Sequence, residues 1–186
     1  MTDFTLSSGS ICRPYRSPWG AFPPRGVRTE STSAAIALGQ PVTLGTAGST
    51  NYDCAIAVAA NTPNYFNLIG VAAEAEAAGG SSLVASATIS VWEANPMVEF
   101  KAVTKGGVLA SSLVGLRRSL VWDSTLGIAW VDLSASTATD WRVLVTQNLD
   151  AVGDSGGYVA FRFLAETGSQ INSTILSSSP LLAFYS

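Results

Sequence analysis

Leu83-Val84-Ala85-Ser86-Ala87-Thr88-Ile89-Ser90-Val91-Trp92-Glu93-Ala94-Asn95-Pro96-Met97-Val98-Glu99-Phe100-Lys101-Ala102-Val103 reads as two short strands hinged at Asn95-Pro96. Before the hinge, Ile89 and Val91 alternate with Thr88, Ser90 and Trp92. After it, Val98, Phe100 and Ala102 fall on one face, and Glu99 and Lys101 on the other. A period of two means one covered sheet face and one wetter face. Pro96 has no N–H to donate, so the chain leaves one strand there and re-enters pairing near Val98.

The same alternation recurs outward from this stretch. Trp141, Val143 and Val145 face one way in 141–147, as do Val159, Phe161 and Phe163 in 158–164. Segments 117–123 and 127–133 read as strands about Ser124-Thr125. Shorter ones are expected near Val42, near Cys54 and within 67–78, where Glu74 and Glu76 alternate with alanines. Short strands separated by Gly, Ser, Thr and Asn predict an all-β fold, a single β-sandwich or barrel domain preceded by an extended N-terminal arm. The division drawn is 1–33 for the arm and 34–186 for the β-domain. The apolar end, Pro180 to Ser186, is expected as a last strand or as a segment tucked against a neighbour.

The arm is set apart by composition. Residues 12–28 hold four of the eight prolines and four of the ten basic residues, with no helix or strand period. Prolines push their preceding residues toward extended geometry. Arginines and large aromatics suit a segment that lies on another surface. Arg13, Tyr15, Arg16, Trp19, Phe22, Arg25 and Arg28 are therefore the candidate binding residues of a docking arm, expected to be mobile when free and ordered when bound.

Composition narrows the function. At 186 residues the chain supports one domain that buries roughly 70% of its unfolded surface. Only 12% of residues are charged while 47% are hydrophobic, so hydroxyls or an assembly must cover much of the exterior. A net charge of −3 gives no bulk attraction to nucleic acid or to an anionic membrane. Cys12 and Cys54 read as free thiols, no secretory signal is recognisable, and no apolar run reaches the ~18 residues of a membrane helix. Synthesis in a reducing cytoplasm, or in a particle assembled there, is expected.

Catalytic readings fail on missing partners. Gly153-Asp154-Ser155-Gly156-Gly157 spells the nucleophile loop of chymotrypsin-like proteases, yet the chain has no histidine to take the serine proton. The loop reads instead as a glycine-rich connection between two strong strands. Zinc would need clustered Cys and His ligands, and Asp150 with Asp154 is a weak calcium candidate at best. No enzyme and no cofactor are expected. Trp92, Trp122 and Trp130 keep a carbohydrate-binding β-sandwich, as a virion surface or tail module, as the alternative.

Gln40-Pro41-Val42-Thr43-Leu44, then Ile69-Gly70-Val71-Ala72, then Ile89 to Phe100, with the closing pair Trp141–Val145 and Val159–Leu164, resembles the small capsid cement, or decoration, proteins of tailed bacteriophages. The resemblance covers about residues 36 to 165 and rests on pattern and order. It implies a β-barrel or sandwich on the outer surface of a virion, often a homotrimer, clamping adjacent copies of the major capsid protein without enzymatic activity.

Overall fold

The computed structural model describes residues 11–18, 20, 24–29, 36–44, 53–56, 68–75, 88–134 and 143–164. The chain is all-β, as expected. Among the described residues, eleven strands run in order: β1 (Arg13–Arg16), β2 (Arg25–Thr29), β3 (Pro41–Leu44), β4 (Asp53–Ile56), β5 (Leu68–Ala72), β6 (Thr88–Glu93), β7 (Glu99–Lys105), β8 (Arg117–Asp123), β9 (Ile128–Asp132), β10 (Val143–Asn148) and β11 (Tyr158–Phe163). A 3-10 turn, Ser111–Leu113, interrupts the connection between β7 and β8.

Two rings of strands result. β2-β4-β3-β5-β6 close into a barrel, and β1-β7-β11-β10-β8-β9 form a six-stranded sheet. A parallel pairing of β7 with β9 joins that sheet into a second five-stranded ring, with β1 added beside β7. Inward positions of the second ring are those the alternation picks out. Phe100, Ala102, Leu120, Ala129, Val131, Val143, Val145, Val159, Phe161 and Phe163 make its core. Phe100 lies 6.1 Å from Phe161 and 4.8 Å from Phe163, centroid to centroid, the latter edge-to-face. Such offset and edge-on arrangements add to area burial because ring edges are positive and faces negative. The first barrel is filled by Ile36, Val42, Ala72, Ile89 and Val91.

Asn95-Pro96 is the junction between the rings. The Asn95 Oδ1 accepts the Met97 N–H at 2.8 Å, and its carbonyl accepts the Val98 N–H at 3.0 Å. Asn is suited to this because its side chain mimics a backbone turn, while Pro96 presets φ for the bend. The hinge reading holds, but the two strands it separates belong to different rings. Val71 points outward from the first barrel and lies in the core cluster of the second, together with Cys12; Trp92, Ala94 and Ala37 pack against that cluster. The rings are thereby joined by apolar burial as well as by the chain.

In chain order, β2 to β6 stand in the same relation as β7 to β11. In each ring the first strand pairs with the third in parallel and with the fifth antiparallel. The second pairs with the third and the fourth, and the fourth with the fifth. Registers agree residue by residue. Pro41–Val71–Trp92 across three strands of the first barrel has its counterpart in Arg117–Leu144–Arg162 of the second. The parallel pair Thr29–Cys54 matches Thr104–Val131. The loop before the second strand repeats in detail: Gly39 (φ 81°) and Gly115 (φ 85°) both need the left-handed region. Gly39 N–H donates to the Ala72 carbonyl and Gly115 N–H to the Val145 carbonyl, each at 2.8 Å. Strands β2 to β11 are a tandem repeat of one five-stranded barrel.

The expected boundary at 33/34 therefore does not follow the fold. It falls between β2 and β3, inside the first barrel, because Arg25–Thr29 pairs with both β6 and β4. Residues 13–16 are likewise a strand of the body, paired antiparallel with β7. Composition misplaced them: Pro14 lacks an N–H, but on an edge strand no ladder bond is forfeited. Strands are present within 67–78, 117–123, 127–133, 141–147 and 158–164 as expected. The apolar carboxy-terminal segment lies outside the described residues.

Candidate docking face

The arm residues are distributed over both barrels. Arg13, Tyr15 and Arg16 stand on β1 and are exposed. Arg25 and Arg28 belong to β2 of the first barrel, where Arg25 pairs with Val91 and Arg28 with Thr88 and Asp53. Trp19 and Phe22 lie outside the described residues. The structure thus groups three of the seven and separates them from Arg25 and Arg28.

What precedes β1 explains why it stays on the body. Cys12 is fully buried, and burial pushes its thiol well above the ordinary range. A thiol so raised remains protonated and is a packing group rather than a nucleophile. A Cβ on Gly39 would meet the Ile11 side chain at 2.6 Å and the Cys12 N at 3.2 Å, so the start of the arm lies directly on the first barrel. Ile11–Arg16 therefore touches both rings and straps them together.

Glu99 fastens this strap. Its carboxylate is 4% exposed and accepts Arg16 Nη2 at 2.8 Å and Arg16 Nε at 2.9 Å on Oε2, with Arg162 Nη2 at 3.2 Å on Oε1. A carboxylate this buried must be paired, and two guanidinium groups serve both oxygens. Both arginines remain partly in water, at 65% and 41% exposure, so their outer N–H groups stay available.

Pairing extends the clasp into a row. Arg117, Leu144, Arg162, Glu99 and Arg16 are successive partners across β8, β10, β11, β7 and β1. Directly opposed residues share a sheet face. The next row holds Arg13, Lys101 and Ala160, and Lys101 Nζ stands 5.5 Å over the Tyr158 ring. Five of the ten basic residues of an acidic chain occur in these two rows, with a single carboxylate among them, and Arg13, Arg16 and Lys101 gather at their β1–β7 end. Strand alternation could have suggested Glu99 and Lys101 as their members. Nothing in the sequence indicated that β1 would lie beside them.

The chemistry such a face supports is recognition of carboxylates or other anions by fixed guanidinium forks. Elsewhere, the sequence candidates for reaction have structural partners. In 153–157, Leu109 N–H donates to the Asp154 carbonyl at 2.9 Å and Gly153 N–H to the Leu109 carbonyl at 2.8 Å. Ser155 bridges Val108, and a Cβ on Gly157 would press on Leu109 at 2.7 Å. The loop therefore closes the barrel end. Asp150 Oδ2 accepts the Tyr158 N–H at 2.8 Å, and among the described residues no group of three or more metal-ligating side chains occurs. Trp122 is buried, Trp92 packs on the core cluster, and the Trp130 ring carries Lys105 Nζ at 5.1 Å. Among the described residues no helix is long and apolar enough to cross a membrane. No protein-family model matches the chain, and no curated protein is similar to it.

Proposed function

We propose that this is a non-enzymatic attachment protein that decorates the outer surface of a viral shell and clamps adjacent capsid subunits as a homo-oligomer. The observation that carries the reading is the exposed edge of β1. Arg13, Tyr15 and Arg16 stand on a strand held to both barrels, with Tyr15 44% exposed. An aromatic between two arginines on a rigid support is the composition of a binding hot spot, and a rigid support lowers the entropy lost on docking. The partner is an acidic or carbonyl-rich surface of the major capsid protein. Binding to the intact shell and not to its separated subunits shifts assembly by the binding free energy.

Co-sedimentation with emptied shells tests this. Tyr15→Ala should weaken binding about ten-fold or more, as loss of an aromatic anchor does. Arg13→Glu should slow association and reduce its sensitivity to salt. Unchanged co-sedimentation of both variants, or none of the natural chain, would refute the reading.

A further inference from the structure

From the repeat, we infer that the turn at 113–117 of the second barrel is a docking site for a peptide segment of another protein, in which an apolar β-branched residue is followed by a small one. The same turn occurs in the first barrel at 37–41. Gln40 N–H donates to the Ala37 carbonyl and Leu116 N–H to the Leu113 carbonyl, each at 3.0 Å. Ala72 N–H donates to the Gln40 carbonyl at 2.9 Å, and Val145 N–H to the Leu116 carbonyl at 3.0 Å. With Gly39 and Gly115 both in the left-handed region, the two turns offer the same backbone surface.

The surroundings of the two turns differ. In the first barrel Gly39, Gln40 and Pro41 are buried and Leu38 is half-buried. The cover at Gly39 is the chain that runs into β1, because a Cβ there would meet the Ile11 side chain and both the N and the O of Cys12. In the second barrel Val114, Gly115, Leu116 and Arg117 are all exposed, and a Cβ on Gly115 would meet nothing within 4 Å. Val114 is 47% and Leu116 40% exposed. Two apolar side chains thus flank a bare glycine, where another backbone can come as near as Cys12 comes to Gly39. Leu116 stands where the first barrel has Gln40, so the uncovered turn has gained an apolar side chain, as a surface kept for a partner does.

The occupant follows from what the first barrel holds at this place. Ile11 supplies a β-branched apolar side chain, and Cys12 a small residue whose backbone lies on the glycine. A second copy has no such segment to lend, since its own Cys12 is fully buried. The segment therefore comes from a different protein. The turn bonds to β10, and β11 and β7 lie between β10 and β1. The site is thus separate from the shell-docking strand, and one copy can use both.

The test is nuclear magnetic resonance of the labelled full chain, titrated with a synthetic peptide of the sequence of residues 7–16 carrying Cys12→Ala. The amide signals of Val114, Gly115 and Leu116 should move, with half-saturation at about 1 mM or below. Leu116→Asp in the full chain should weaken this binding about ten-fold or more, and it should retain the natural melting curve because the side chain is exposed. A peptide with Ile11→Asp should move nothing at the turn. No movement there up to about 10 mM peptide, movement at Gly39 instead, or equal binding of the Ile11→Asp peptide would overturn the inference. Turn signals that move with protein concentration alone would also overturn it, by making a second copy the occupant. Tyr15→Ala in the full chain should bind the peptide as the natural chain does. No shell enters this experiment, so the inference fails or stands separately from the shell-docking proposal.

Discussion

The first and second barrels hold the same backbone and present opposite surfaces. Where the first places Pro41, Val71 and Trp92, the second places Arg117, Leu144 and Arg162. Where the second has the buried Glu99, the first has Pro24, which has no charge and no N–H. The pairing pattern depends on backbone donors and acceptors and on which face is apolar, and both are kept through replacement of nearly every side chain. Surface chemistry depends on individual residues and has diverged. The β7 edge is covered by β1, whereas Pro24 leaves a blunted start to β2, two ways to manage the same exposed strand.

The largest effect that separates the barrels should come from the aromatic core of the second. Phe100→Ala should cost about 3–5 kcal/mol, read by chemical denaturation, because Phe100 is fully buried against Phe161 and Phe163. Its register counterpart in the first barrel is Arg25, and among the described residues the first barrel's core cluster holds no aromatic side chain. A single transition shifted as a whole would show that the rings unfold together through Val71 and Cys12. Two transitions, with only one shifted, would show that they do not.

Next comes the clasp. Glu99→Gln leaves two guanidinium groups without their carboxylate. Because both are partly solvated, the loss should be about 1–3 kcal/mol rather than the full cost of breaking a buried pair. Proteolysis should then cut near β1 sooner than in the natural chain.

The matched glycines sharpen the comparison further. Gly115→Ala meets open space and only the positive-φ penalty, about 1 kcal/mol. Gly39→Ala carries that penalty and also presses on Ile11 and Cys12, so its loss should be about 2 kcal/mol. Equal losses in thermal melts would mean that the arm does not lie on the first barrel.

The smallest effect is acid sensitivity at the β8–β9 turn. The Leu126 N–H foremost, then the Lys105 ammonium and the Thr125 N–H, hold the Asp123 carboxyl below its usual range against the opposing effect of burial. A folded-state value below the unfolded one stabilises above the ordinary carboxylate pKa, and that stability is lost as pH falls through the folded value. Asp123→Asn should therefore lower stability slightly at pH 7, where the carboxylate's contribution is fully present, and flatten the profile below about pH 4, where variant and natural chain converge.

Much of the fold was legible because alternation survives in single segments such as 143–148 and 158–163. What alternation gives is a face, not a partner. Nothing local to Ile89–Val91 and Val98–Ala102 says that they line different cores. The repeat is hidden for the same reason: Gly70 stands where Val143 does, and Trp92 where Arg162 does, while the shared feature is hydrogen-bond register. Of the site, the arginine and aromatic content of the arm was visible. Its attachment was not, because a buried Glu99 among strand residues looks like any solvent-facing carboxylate until β1 and β11 are placed beside it.

The central claim is that one barrel is present twice in the same register, and interstrand nuclear Overhauser contacts on labelled protein test it most directly. The expected result is two parallel contacts at equivalent places, between Thr29 and Cys54 and between Thr104 and Val131, with antiparallel contacts on the other edges of β2 and β7. A parallel contact in the second ring with an antiparallel or shifted pairing of β2 in the first would contradict the repeat.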